Sequence, residues 1–350
     1  MSKKKSGVKT FFKVVFSLVL ICFVVAVAFG VWLWQIDMPA GSADDGQKTF
    51  LVESGEPVRT IGERLERDGV VKSQVGFFFL AKLTGGDSIQ AGKYSLSPSM
   101  KTSEIIKVLS SGGMPTETVD ITFLPGGDKF MAREALREAG FDEVQIDGLN
   151  DEAFAREIRS KYPKLFDGWS FDKGLEGYYW GDTYEILLDN GTKGAVNKAL
   201  AQMDKVVTDD LVDGLSKDGM NFYENLILAS IIAREESNFD NQKIVAQIFL
   251  NRLEIGMPLG SDPTYIYGAK LMGVEAATDL DSPYNTRKVT GLTPTPIATP
   301  SLNALRALAE PTPTDALFFL SDDEDILRTA TTDEEHQWNI VHYCQVKCFE

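Results

Sequence analysis

The strongest constraint on this chain is an uncharged, apolar run from Val14 to Trp34, preceded by Lys3, Lys4, Lys5, Lys9 and Lys13. It is long enough to cross a bilayer as one helix. The first cation beyond it, Lys48, comes only after Asp37, Asp44 and Asp45. Residues 1–13 are therefore expected in the cytoplasm, 14–34 in the membrane, and all that follows outside the cytoplasm. Ala26-Val27-Ala28 has the spacing of a signal-cleavage site, but the apolar run continues past it and ends in the interface-favouring Trp32 and Trp34, which points to a retained single-pass anchor. Leu20-Ile21, ahead of Cys22, are not the small residues of a lipoprotein signal.

The net charge of −16 includes those five lysines, so the part beyond the span is more acidic still. Such a surface repels phosphate backbones and excludes nucleic acid as an expected partner. Three cysteines cannot staple so long a chain, so its stability must come from hydrophobic cores. Cys344 and Cys348 lie near the chain's two histidines, His336 and His342, but the spacing matches no zinc pattern. A disulfide or two free thiols is expected there, and no metal or other cofactor.

Residues 35–47 are rich in Gly, Ser, Ala and Asp and read as a spacer. A small module is expected over 48–115, with a strand at Phe50–Val52, a helix bearing Val58, Ile61 and Leu65 and stopped by Gly69, an aromatic helix around Phe77–Leu83, a strand at Gly92–Leu96, and a helix capped by Ser103. Its strand, helix, helix, strand order resembles a LysM-like saccharide-binding module. A larger domain, 116–350, opens with a strand at Val119–Leu124 and alternates helices with loops. The expected fold class is α+β: a transmembrane helix, a small α/β module and a larger mixed α/β catalytic domain.

Chemistry concentrates after residue 224. The segment Glu224–Glu236 reads as a helix whose buried stripe is Leu228, Ile231 and Ile232. Glu235 follows these by seven, four and three positions, so its carboxyl group belongs to the apolar stripe. Desolvation there disfavours the charged form and lets a glutamic acid keep its proton near neutrality, as a general acid requires. A second helix is expected over Lys243–Ile255. Two loops, Ser261–Gly268 and Ser282–Pro300, then mix aromatic rings with polar groups. Tyr265, Tyr267 and Tyr284 could stack on sugar faces while Asp262, Thr264 and Asn285 bond hydroxyls and acetamides. No Gly-x-Ser-x-Gly elbow, His-Glu-x-x-His helix or phosphate-cradling loop is present.

The consecutive segments LILASIIAREE, NRLEIGMPLGSDPTYIYG, SPYNT and GLTPTPIATP closely resemble the motifs of the endolytic murein transglycosylase family, and LEGYYWGDTYEI (175–186) resembles its Leu-Glu-Gly-Tyr segment. The resemblance covers essentially the whole chain. It implies cleavage within peptidoglycan glycan strands, between N-acetylmuramic acid and N-acetylglucosamine, leaving 1,6-anhydromuramyl ends. The family's catalytic glutamate falls on Glu235. By motif position and hydrogen-bonding capacity, Glu176, Asp262, Thr264, Tyr267, Tyr284 and Asn285 are assigned to the substrate. A peptidoglycan synthase is the natural partner for an enzyme trimming nascent strands at the membrane face. The chain departs from the family pattern at Ala233, Gly181 and Pro125-Gly126. Near the end, Leu327 and Thr329 stand about where the family has a His-x-Phe pair, although Glu335-His336 is kept. The alternatives are a non-catalytic peptidoglycan-binding or scaffold protein, and a hydrolysing muramidase using Asp262 as a second acid.

Overall fold

The computed structural model describes residues 20, 24–25, 27, 29–42, 47–84, 89–113 and 118–348. The proposed cytoplasmic tail and much of the apolar run lie outside the described residues. Among those described, no helix is long and apolar enough to cross a membrane. The chain divides into two compact units, Met1–Glu117 and Thr118–Glu350. Both are mixtures of helices and small sheets, so the α+β class holds.

In the first unit, antiparallel strands Lys48–Val52 and Gly92–Leu96 pair in the register Phe50 with Tyr94. Helices Val58–Arg67, Gln74–Thr84 and Thr102–Ser110 pack with them. Ile61, Leu65, Phe77, Leu96, Ile105 and Leu109 form the core. Gly69 ends the first helix in a left-handed conformation (φ 65°), which only glycine adopts without strain. Ser103 is not the cap it resembles in sequence. The third helix starts at Thr102, and the Ser103 amide donates to Asp37 Oδ1 at 2.8 Å. Asp37 belongs to the segment read as a spacer, and the described part of that segment is fastened to the unit. Thr102 Oγ1 donates to Ile36 O at 2.9 Å, and the Gly41 amide donates to Pro98 O at 2.8 Å.

The second unit pairs strands Thr118–Phe123 and Asp182–Leu187, also antiparallel, and carries a separate hairpin, Phe318–Ser321 with Leu327–Ala330. Around these pack helices of which Phe222–Glu235 is the most deeply buried. Residues Asn225 to Ile232 are all buried, so this helix is covered all round rather than along the single expected stripe. Its start is closed by a capping box, with Asn221 Oδ1 accepting the Glu224 amide and the Glu224 carboxylate accepting the Asn221 amide, both at 2.9 Å. Midway, Ser230 Oγ accepts the Ile297 amide at 3.0 Å, which pins the loop Ser282–Pro300 to the helix.

Gly177, in the Leu-Glu-Gly-Tyr segment, has φ 92°, and a Cβ placed there would lie 2.8 Å from Pro296 Cγ and 3.1 Å from Leu226 Cδ2. Left-handed strain and crowding act together. Gly177→Ala is expected to cost about 2 kcal/mol or more, read as a lower urea midpoint with an unchanged slope.

Candidate active site

Glu235 is the last residue of helix Phe222–Glu235. An acid at a helix end could fray into water, but here the following turn is tightly bonded. The neighbouring Glu236 is extended, and its carboxylate accepts the Ser237 and Asn238 amides at 2.7 and 2.8 Å and the Asn241 side-chain amide at 2.9 Å. Asn238 caps the next helix, Phe239–Glu254. Glu236 is thus consumed by the turn, Arg234 is exposed, and Glu235 remains half-buried.

The partner of Glu235 is Ser261, whose hydroxyl donates to Glu235 Oε1. Ser261 stands at the N-cap of helix Asp262–Met272, where a serine ordinarily accepts from its own helix's first amides; here it makes no such bond. Its backbone is held instead by neighbours. The Ser261 amide donates to Thr286 Oγ1 at 3.0 Å, Thr264 Oγ1 donates to Ser261 O at 2.6 Å, and the two threonine hydroxyls lie 2.8 Å apart. Ser261, Thr264 and Thr286 are all buried. The segment Ser261–Gly268, expected as a loop, is therefore mostly the start of this helix, with Pro263 in its first turn, where a missing amide hydrogen costs nothing.

Burial raises the pKa of Glu235, and the nearby Asp262 charge raises it further; the Ser261 hydroxyl and the charges of Arg252 and Arg287 act the other way. Asp262 is ion-paired with Arg287. Arg252 is buried, its Nε donating to Leu317 O and its Nη1 to Leu259 O, each at 2.6 Å. The net result is a glutamic acid poised to hold a proton, fixed by one hydroxyl and set between an acid and two guanidinium groups.

A second cluster forms around Glu176, which is 2% exposed. Its carboxylate accepts the Lys129 amide at 3.0 and 3.1 Å and the Tyr267 hydroxyl at 2.6 Å. Lys129 opens the helix capped by Asp128, so this amide is one the helix itself leaves free. Burial pushes the Glu176 pKa up to about 7, against the lowering effect of these two donors. Tyr267 in turn meets Tyr284 edge-on at 5.3 Å, and the Tyr284 hydroxyl lies 2.9 Å from Thr295 Oγ1.

Of the residues assigned to substrate from the sequence, Asp262 and Thr264 gather with Glu235 around Ser261, while Glu176, Tyr267 and Tyr284 form the second cluster. Asn285 is fully buried and shapes its own loop, its Nδ2 donating to Thr278 O and Leu280 O at 3.0 and 2.8 Å. Glu176, Thr264, Tyr267 and Asn285 are thus buried and engaged with protein atoms, whereas Asp262 and Tyr284 keep partial exposure. Sequence reasoning did not single out Ser261, Arg252, Thr286 or Arg287. Only Ser261 carried a signal, as a hydroxyl residue just ahead of an Asp-Pro helix start.

Near the chain end, Cys344 and Cys348 form a disulfide, so neither is a free thiol. His336 stacks on Phe318 at 5.3 Å, and Arg252 lies 5.5 Å from the same ring. Thr329, at the place of the missing aromatic, pairs with Phe319 across the hairpin.

The fold and site define a class: an α+β protein with a protonatable glutamate at the end of a core helix, held by the hydroxyl of the serine that stands at the start of helix Asp262–Met272. The YceG-like family model matches residues 50–342, and the chain belongs to that family. Among its relatives is the endolytic murein transglycosylase of Streptococcus pneumoniae serotype 2, 31% identical over 324 residues, covering 85% of this chain and 59% of that protein. The chain therefore spans about three-fifths of the length of that relative. The endolytic murein transglycosylase of Bacillus subtilis is 30% identical over 294 residues, 81% of each chain. The crystal structure of a YceG-like protein from Listeria monocytogenes is similar with a TM-score of 0.54 at 25% identity, covering 85% of this chain and 99% of that one.

Proposed function

We propose that this chain is an endolytic peptidoglycan lytic transglycosylase in which Glu235 serves as both acid and base. The observation that carries the proposal is the placement of Glu235, half-buried, raised in pKa and fixed by Ser261. The names of the curated relatives support the same activity.

Glu235 gives its proton to the oxygen bridging N-acetylmuramic acid and N-acetylglucosamine as the bond from the muramyl anomeric carbon to that oxygen breaks. The N-acetylglucosamine portion leaves with a free 4-hydroxyl. The muramyl 6-hydroxyl then closes on the anomeric carbon, and the Glu235 carboxylate takes its proton, restoring the acid. No water is consumed. An intramolecular nucleophile needs positioning rather than activation, so one carboxyl group suffices where a hydrolase uses two. The ion pair of Asp262 with Arg287 suits an electrostatic role better than that of a free second base. Asp262 and Tyr284, the partly exposed members of the assigned set, are the proposed sugar contacts. Glu176, Thr264, Tyr267 and Asn285 act behind them by fixing the helix and loop that present Ser261.

The apolar run 14–34 is proposed as a single-pass anchor with residues 1–13 cytoplasmic, the first unit as a LysM-like glycan-holding module, and a peptidoglycan synthase as the neighbour that supplies nascent strands. Shortening of long purified glycan strands from within, without release of single disaccharides from the ends, tests endolytic action. Intact strands in the presence of bound protein would instead indicate a binding or scaffold role.

Ser261→Ala removes the hydrogen bond that lowers the Glu235 pKa. A general acid loses rate as pH rises through its pKa, so this variant should shift the alkaline limb of the pH–rate profile to higher pH, with about a tenfold loss of kcat from poorer positioning.

A further inference from the structure

Between its polar ends, and apart from Lys82, the helix Gln74–Thr84 of the first unit is apolar on both its inner and its outer face. Gly76, Phe77, Leu80 and Ala81 face the core. On the other side Val75 is 63% exposed, Phe78 40% and Leu83 59%. At 100° per residue these three share one broad face with Phe79 and Lys82. A helix apolar all round belongs inside a protein or against lipid.

Phe79 indicates which. Its ring meets Trp32 edge-on at 5.1 Å and Phe29 at 6.1 Å, and Phe29 stacks on Trp32 at 5.8 Å. Phe29 and Trp32 belong to the end of the apolar run, in a segment helical over 29–37. That segment is seated on the same helix: a Cβ added at Gly76 would lie 2.8 Å from Ile36 Cβ. Trp34, beside them, is 63% exposed. The uncovered apolar face is thus continuous with the Trp-rich end of the run. One cationic group, Arg59, stands beside it, and Lys82 lies within it between Phe78 and Val75. Arg59 lines a cavity of about 190 Å³ with Gln74, Val75 and Phe78, and the Lys82 ammonium lies 5.9 Å from the Phe78 ring centre. Arg59 is partnered by Glu63, so apolar burial rather than net charge is the leading attraction.

We infer that the face of helix Gln74–Thr84 bearing Val75, Phe78, Phe79 and Leu83 rests in the interfacial layer of the bilayer, so that the first unit lies on the lipid surface instead of standing away from it. The apolar side chains enter the boundary between headgroups and acyl chains, as those of a helix lying in the interface plane do. This rests on the anchor proposed above. It places the small module at a fixed height and orientation over the membrane.

The test uses the full chain in nanodiscs of phosphatidylethanolamine and phosphatidylglycerol, with Cys22→Ser so that an engineered cysteine is the only free thiol. Spin labels at Val75→Cys and Leu83→Cys occupy exposed sites and leave the core intact; Lys107→Cys, on another helix, is the control. Several-fold greater collision with oxygen than with a water-soluble nickel chelate at 75 and 83, and the reverse at 107, is expected. Aqueous accessibility at 75 and 83 in chains that co-migrate with the discs would overturn the docking while leaving the anchor intact. Dipolar broadening between labels would overturn it in favour of a second copy covering the face. Failure of the chain to co-migrate at all would remove the anchor, and the docking with it.

Discussion

Glu235→Gln should abolish glycan cleavage, lowering kcat/KM by about a thousandfold or more while leaving the fold and glycan binding in place. The expected size follows from the two uses of one group. A glutamine can still accept the Ser261 hydroxyl, so the local geometry survives, but it can neither donate a proton to the bridging oxygen nor take one from the 6-hydroxyl. The adjacent Glu236 cannot substitute, because its carboxylate is held by two backbone amides and Asn241. Equal losses in kcat and kcat/KM, with KM unchanged, are the signature of a group acting only in the transition state. Retained activity in Glu235→Gln would remove the acid–base role.

The second large effect concerns stability and pH. Glu176 is nearly fully buried, and its pKa is raised from about 4.5 to about 7 in the folded chain. The folded state therefore binds this proton more tightly than the unfolded state does. The resulting contribution is fully present below about pH 4.5 and is lost as pH rises through about 7. Its total is on the order of 3 kcal/mol. Glutamine does not titrate, so wild-type stability measured relative to Glu176→Gln by urea unfolding should fall by that order between pH 4.5 and 8. A gap independent of pH would mean that Glu176 titrates normally. The same variant should weaken cleavage only modestly, because the Glu176 carboxylate is buried and bonded to Tyr267 of helix Asp262–Met272.

The partial burial of Glu235 was legible from its helical spacing to Leu228, Ile231 and Ile232, and the helix exists as read, with ends shifted by only a residue or two, although it is covered all round and not along one stripe. Three short strands were legible too, at Phe50–Val52, Gly92–Leu96 and Val119–Leu124, whereas Asp182–Leu187 and the hairpin Phe318–Ser321 with Leu327–Ala330 were not read as strands. The helix Asp262–Met272 was not. Pro263, Gly268 and the mix of tyrosines with Asp and Thr read as a loop, yet the proline sits in the first turn and the glycine permits close approach, since a Cβ there would lie 2.7 Å from Ser282 Oγ. Tertiary packing outweighed local composition. The surroundings of Glu176 were equally hidden, because its partners lie 47 and 91 residues away in sequence. Ser103 misled for a local reason: a good capping residue one position inside the helix looks the same in sequence as one at the cap.

The chemistry of the new ends tests the central claim most directly. Purified peptidoglycan would be incubated with the full chain and with Glu235→Gln, and the released ends identified by mass spectrometry. New 1,6-anhydromuramyl ends with the wild-type chain alone are the predicted result. Reducing muramyl ends, heavier by one water, would contradict it by showing hydrolysis with a second acid such as Asp262.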